Sequence, residues 1–184
     1  MNKRYEILDS LPAYGPMYVP ITDDNEPFYS EGFPIRFYKS DGSEWVANFK
    51  PGMTGLNKVF ECKKLDSIVV ISGGQGYLIS PDNEKPIKTF GIAIKDTFQD
   101  EIGNLILVDD LSIEIIDIQT LEIWTSERIS WDGFRDLKLT GDILSGQSFD
   151  PTNSINEWSD FSFNIKTKEI TGGSYRDFTK RNLK

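Results

Sequence analysis

Histidine is absent from this chain of 184 residues. That absence alone excludes Ser-His-Asp and Cys-His catalysis, His-ligated zinc, HExxH metal sites and imidazole acid–base chemistry. Cysteine occurs once, at Cys62, so neither an internal disulfide nor a thiolate zinc cluster can form. Cys62 sits in the strand-like stretch VFECKKL, where a half-buried structural thiol is expected. Lys63 and Lys64 beside it would favour the thiolate, but no imidazole base is there to make a thiol protease. No apolar run reaches membrane-spanning length. The opening MNKRYEILDSLPAYGPMYVP holds no apolar core of signal-peptide size, so a cytoplasmic protein without membrane contact is expected. Positive charge is also short: 20 Lys and Arg stand against 29 Asp and Glu, a net −9 with pI near 4.6. Such a surface repels phosphate backbones, which disfavours nucleic acid, and draws a basic partner if it does more than keep the chain soluble.

What is present is β-sheet signal. The stretch from Asn104 to Ile129, NLILVDDLSIEIIDIQTLEIWTSERI, holds three runs rich in β-branched and apolar residues and no Gly or Pro. Leu105–Val108, Ser112–Ile118 and Leu121–Ile129 read as a three-stranded meander broken at Asp109-Asp110 and Gln119-Thr120. Before it come a hairpin, Pro34–Tyr38 and Glu44–Phe49, turned at Asp41-Gly42, and then a strand over Lys58–Lys63. A second group, SIVVIS, GYLIS and PIKTF, follows. The unbroken apolar middle of Ser67–Ser72 predicts a strand covered on both faces. Gly73-Gly74-Gln75-Gly76 matches neither a dinucleotide-binding nor a Walker phosphate loop and reads as a turn. A fourth group spans Phe134 to Tyr175. Helix is expected to be scarce, at most a turn near Thr54–Lys58 or Lys95–Asp100.

Two segments echo each other. Ile116-Asp-Ile-Gln-Thr-Leu-Glu-Ile123 matches Phe163-Asn-Ile-Lys-Thr-Lys-Glu-Ile170 in spacing and character, each reading as strand, two-residue turn ending in Thr, and strand. Hairpin turns near 41, 82, 119 and 166 recur at close to the roughly 40–45 residues of a propeller blade. The expected fold is therefore all-β: repeated antiparallel meanders of three to four strands, in a propeller-like array or a β-sandwich. Residues 1–31 are expected as an irregular segment packed on the body, with Tyr14, Met17, Tyr18, Val19 and Ile21 able to lay down one short strand. A single all-β domain is expected over 32–175, and a polar tail over 176–184. Val69–Ile71, Leu105–Val108, Ile115, Ile123, Leu139, Phe161 and Phe163 are the expected core.

The order Trp131-Asp132-Gly133, a Gly-centred hairpin, Asp150-Pro151, Trp158 and Phe161, Thr167-Lys168-Glu169 and Gly172-Gly173 resembles the C-terminal half of a group of uncharacterised bacterial all-β proteins. Some of these are similar to immunity proteins of toxin systems. The resemblance covers 129–175 only, and it implies protein binding without supplying a catalytic residue.

Candidate contacts follow from composition. Trp131 and Asp132 are an indole and a carboxylate at a strand–loop junction, able to hold a partner side chain or a sugar, although Asp-Gly turn chemistry and a core Trp alone explain them and are the favoured reading. Trp124 and Arg128 share a face of the last meander strand with Glu122 and Ser126, a composition enriched at protein contacts and also expected where the next unit covers the face. Asp132, Asp150, Glu157 and Asp160 fall in neighbouring loops of a meander, where two carboxylates could act on a glycosidic bond, or simply be solvated acids. Trp158 follows Glu157 and joins the candidate binding set. No calcium loop, G-x-S-x-G or S-x-x-K occurs, and nothing calls for a metal or a cofactor. The sequence thus favours a non-enzymatic protein-interaction module, in its sharpest form an immunity-type inhibitor of a bacterial toxin with a basic partner. The alternative is a carbohydrate-binding protein or a glycoside-acting enzyme using loop carboxylates.

Overall fold

The computed structural model describes all residues except 1–2, 16, 24–25, 63–65, 153–156 and 183–184. Its strands fall into four four-stranded sheets, which follow one another along the chain. In sheet 1 the strands β1 (Tyr5–Ile7), β2 (Val19–Ile21), β3 (Phe33–Tyr38) and β4 (Glu44–Phe49) take the order β1-β3-β4-β2. The other three are plain antiparallel meanders. Sheet 2 is β5 (Lys58–Cys62), β6 (Ser67–Ser72), β7 (Gln75–Ile79) and β8 (Lys88–Phe90); sheet 3 is β9 (Asp96–Gln99), β10 (Leu105–Val108), β11 (Ile113–Ile116) and β12 (Ile123–Thr125). Sheet 4 is β13 (Phe134–Thr140), β14 (Ile143–Asp150), β15 (Glu157–Asn164) and β16 (Ile170–Gly172), and one helix, α1 (Ser174–Asn182), follows it. The all-β reading and its repeated meanders hold.

Two compact units divide the chain at Ile94 and Lys95, inside the stretch expected to be one domain. In the first unit, sheets 1 and 2 bury one core: Ile35, Phe37, Trp45 and Phe49 meet Ile68, Val70, Tyr77 and Ile79. In the second, sheets 3 and 4 bury another: Ile106, Val108, Ile113 and Ile115 meet Leu144, Phe161 and Phe163. Every residue of β6, β7 and β10 is buried, as uninterrupted apolar strands require when both faces are covered. Ile123 and Leu139 are only half-buried, because each lies on a strand at the margin of its sheet.

Several expectations need correction. Residues 1–31 supply two strands, and β2 runs parallel to β4, so sheet 1 is mixed. Pro20 fits there because β2 is an edge strand, where a missing N–H breaks no ladder. Tyr14 and Met17 are 93% and 87% exposed and take no part in that strand. The strands of sheet 3 are shorter than their apolar runs: β12 stops at Thr125, since Ser126 still donates its N–H to the Ile113 carbonyl at 2.9 Å but meets the Ile113 N–H at 3.0 Å with its hydroxyl in place of its carbonyl. Lys95–Asp100, a suggested helical turn, is mostly β9. Cys62 is fully buried rather than half-buried, and burial pushes its thiol pKa up; Lys63 and Lys64 lie outside the described residues. Most of the expected polar tail is α1.

The echoed segments adopt one turn twice, longer than the two residues expected. Asp117 Oδ1 accepts the N–H groups of Gln119 and Thr120, and Thr120 Oγ1 accepts that of Glu122. Asn164 Oδ1 likewise accepts those of Lys166 and Thr167, and Thr167 Oγ1 that of Glu169. The carbonyls of Asp117 and Asn164 accept Leu121 N–H and Lys168 N–H, and both of those residues take positive φ, 60° and 65°.

Candidate functional site

Sheet 4 gathers part of the sequence-derived set and separates the rest. Three of the six residues, all half-buried, are taken up by packing within the unit. Trp124 stacks on Phe163 with ring centroids 5.5 Å apart and planes 3° from parallel, and Lys168 Nζ lies 5.0 Å from its centroid. Of the two readings its composition allowed, the face carrying Trp124 is thus the one covered by the next unit, sheet 4. Burial lowers the Lys168 pKa, while its ammonium donates to the Ile165 carbonyl at 2.6 Å.

Trp131 and Arg128 form the seat of α1. Trp131 meets Tyr175 and Phe178 edge-on, at 4.8 and 5.2 Å. The Arg128 guanidinium lies over both Trp131 and Tyr175 and donates to the carbonyls of Ser130 and Trp131. Ser174 starts the helix, its hydroxyl donating to the Phe149 carbonyl at 2.6 Å and its N–H to Ser148 Oγ at 2.8 Å. A short polar helix gains its stability from such tertiary packing rather than from propensity. These two residues are structural anchors.

The other three residues collect at one end of sheet 4. Gly133 O accepts the Phe149 N–H at 3.0 Å, and Phe149 pairs with Trp158 across β14 and β15. Asp132 is exposed beside this row, and Glu157, also exposed, opens β15 opposite Asp150. Trp158 is half-buried on the outward face, with Phe149 tilted against it at 5.2 Å. Over Trp158 lies Arg135, its guanidinium carbon 4.3 Å from the ring centroid. Gln147 Oε1 accepts from Arg135 Nε and Nη2 at 2.9 and 2.7 Å, and Gln147 Nε2 donates to Asp160 Oδ1 at 2.9 Å. One rung of side chains thus crosses three strands and holds a cation over an indole.

A bulge aims that rung. The register of β13 against β14 shifts between Arg135 and Lys138, and Asp136 between them has φ of 53°. Leu137 is turned into the core across Gly146, where an added Cβ would stand 2.8 Å from the Arg135 carbonyl oxygen and 2.9 Å from Leu137 Cδ2. Gly146 therefore permits the bulge, and the bulge leaves Arg135 on the outer face. Arg135 escaped sequence reasoning because the bulge in β13 inverts the alternation that assigns faces, whereas Phe149 and Gln147 lie on the regular strand β14 and matter only through Trp158 and Arg135.

The carboxylates do not form the loop cluster expected. Asp150 is buried and accepts the Thr152 N–H and hydroxyl at 2.9 and 2.6 Å, while Asp160 sits within β15 in the Gln147 rung. Among the described residues no three His, Cys, Asp or Glu side chains converge to hold a metal ion, and no helix is long and apolar enough to cross a membrane. Charge is uneven between the units. Residues 95–184 carry 10 Lys and Arg against 17 Asp and Glu, net −7, whereas residues 1–94 carry 10 against 12, net −2.

No family model matches the chain. No curated protein matches it. Among solved structures it is similar to the Neurospora crassa Pan2 WD40 domain, at 13% identity and a TM-score of 0.42, over 77% of this chain and 48% of that one. A chain in the structure of S. cerevisiae Dbp5 bound to Nup159, Gle1, IP6 and ADP gives 15% and 0.41, over 66% of this chain and 34% of that one. A Mycobacterium tuberculosis puromycin-hydrolyzing peptidase gives 15% and 0.42, over 77% and 24%. The chain spans less than half the length of each, and likeness at this level says nothing of what it binds.

Proposed function

We propose that this chain is a non-enzymatic protein-interaction module that docks a basic partner on the outward face of sheet 4, in its sharpest form an immunity-type inhibitor of a bacterial toxin. The observation that carries this reading is the Arg135–Trp158–Phe149 platform. Trp and Arg are the side chains enriched at the energetic centres of protein interfaces, and here both are already held in place, so little side-chain freedom is lost on docking. Asp132 and Glu157 beside it, in the unit of net −7, suit a cationic partner.

The test is surface plasmon resonance against the product of the neighbouring gene. Trp158→Ala is expected to speed dissociation about tenfold or more, as loss of a hot-spot anchor does. Trp124→Ala should weaken the fold instead. Unchanged dissociation in folded Trp158→Ala removes this face as the contact, and a glycan that binds through Trp158 replaces the protein reading with the carbohydrate one.

A further inference from the structure

Sheet 1 leaves a margin open at β1. Tyr38 N–H donates to the Arg4 carbonyl at 3.0 Å and Leu8 N–H to the Pro34 carbonyl at 3.1 Å. Between them Tyr5, Glu6 and Ile7 stand opposite Phe37, Arg36 and Ile35. Backbone groups along an antiparallel strand turn alternately to one side and the other. Arg4, Glu6 and Leu8 therefore bond β3, while Tyr5 and Ile7 turn their N–H and C=O groups to the free side of β1, where no further strand pairs. Other margins are closed. β2 carries Pro20, which has no N–H to offer. On β16 the Ile170 and Gly172 carbonyls are clasped by Arg176 Nη1, at 2.6 and 3.2 Å.

A cleft runs beside this margin. Its volume is about 330 Å³, and Lys3, Tyr5, Glu6, Ile7 and Glu61 line it. Ile7, an apolar residue, is 51% exposed there. Lys3 and Glu6 pair with each other at 3.1 Å, and Glu6 also accepts from the Tyr38 hydroxyl at 2.9 Å. Glu61, on β5, is exposed and has no ion-pair partner among the described residues. Burial, and then the Glu61 charge, raise the Tyr5 phenol pKa, so this carboxylate is felt at the strand edge. The margin thus offers unpaired main-chain donors and acceptors, an exposed apolar side chain and an uncompensated carboxylate. Strand addition uses this chemistry: main-chain bonds hold an extended segment, and its alternate side chains decide which segment is held. A second copy of β1 is a poor occupant. Pairing Tyr5 with Ile7 of the other copy, and the reverse, sets Glu6 directly opposite Glu6, and like charges opposed on a ladder destabilise it.

We infer that the free margin of β1 takes up an extended segment of a partner chain by strand addition, with a Lys or Arg of that segment facing Glu61 and an apolar residue beside Ile7. The inference involves the 1–94 unit alone and stands apart from the reading of Trp158, so Trp158→Ala should leave it unchanged. The probe is acetyl-Thr-Val-Thr-Lys-Thr-amide, titrated into the full chain and followed by amide NMR shifts. Run antiparallel to β1, it sets its Lys opposite Tyr5 and its Val opposite Ile7. Saturable shifts centred on residues 3–8 and 61 are expected. Glu61→Gln should weaken binding about threefold, as loss of an exposed ion pair does. Ile7→Pro keeps the bonds to β3 and removes an outward donor, so it should abolish binding with the fold intact by circular dichroism. N-methylation of the probe's Val and Lys amides, which face β1, should abolish it as well, whereas methylation of the central Thr amide, which faces away, should leave it saturable. No saturable shifts, binding that survives methylation of the Val and Lys amides, or a probe with Glu in place of Lys that binds equally well overturns the inference. Self-association of the chain that Ile7→Pro removes, without binding of the probe, puts a second copy on the margin and overturns it too.

Discussion

Asp82 shows how one side chain fastens two segments together, the start of β1 and the β3–β4 turn. Its carboxylate accepts the Ser40 N–H and hydroxyl and meets Arg4, and these bonds, Ser40 first, hold its pKa at about 2 instead of 3.8. A folded-state pKa below the unfolded one stabilises the fold above the unfolded value, and that contribution disappears as pH falls through the folded one. Urea midpoints of wild type and Asp82→Asn should therefore differ at pH 7, start to converge as pH falls below about 3.8, and coincide only well below pH 2. A gap that persists well below pH 2 would mean that Asp82 acts by packing and not by charge. At Leu121 the backbone itself is the issue. Its φ of 60° is a region that costs a branched L-residue about 1–2 kcal/mol. Leu121→Asn should raise stability by roughly 0.5–1 kcal/mol, since Asn tolerates that conformation. A loss in chemical denaturation would show that the half-buried Leu side chain contributes more than the strain removes.

Strands were legible where chemistry is local, and less so where a neighbour decides. β6 and β10 read directly from apolar runs, and both are buried throughout. The 117–122 and 164–169 turns were visible as an echo because an Asx residue and a Thr three positions on must recur for the side chains to cap the same N–H groups. Three features stayed hidden. The end of β12 depends on the Ser126 hydroxyl reaching β11. The helix α1 has a polar sequence and acquires its apolar seat only when Trp131 is brought to Tyr175 and Phe178. The bulge in β13 exists because Gly146, on another strand, leaves room for it. The same reasoning sorts the candidate site: Trp124 and Trp131 read as contacts by composition and are half-buried against Phe163 and α1, while Trp158 keeps an outward face. The central placement of β10 is testable. Ile106 is fully buried in the core shared by sheets 3 and 4, so Ile106→Ala should cost about 2–5 kcal/mol in chemical denaturation; a loss below about 0.5 kcal/mol, typical of a surface change, contradicts it.

At the scale of the whole chain, charge and contact chemistry are separate properties, and kinetics tells them apart. Long-range attraction acts before docking and is screened over a Debye length of about 8 Å at physiological salt, so it governs encounter; packed aromatic contacts form after docking and govern escape. The excess negative charge is in residues 95–184, net −7 against −2 for residues 1–94. A basic partner should therefore associate with a rate that falls steeply with added salt, while its dissociation changes little. Asp132→Lys and Glu157→Lys, at exposed positions beside the platform, should slow association. Glu31→Lys and Asp41→Lys, equally exposed but in the less acidic unit, should slow it less. Trp158→Ala should act in the opposite sense, speeding dissociation with an unchanged salt slope. If association is independent of salt, the field has no part in recognition. If the two pairs of charge reversals slow it equally, attraction follows net charge alone and the platform at Trp158 does not mark where the partner arrives.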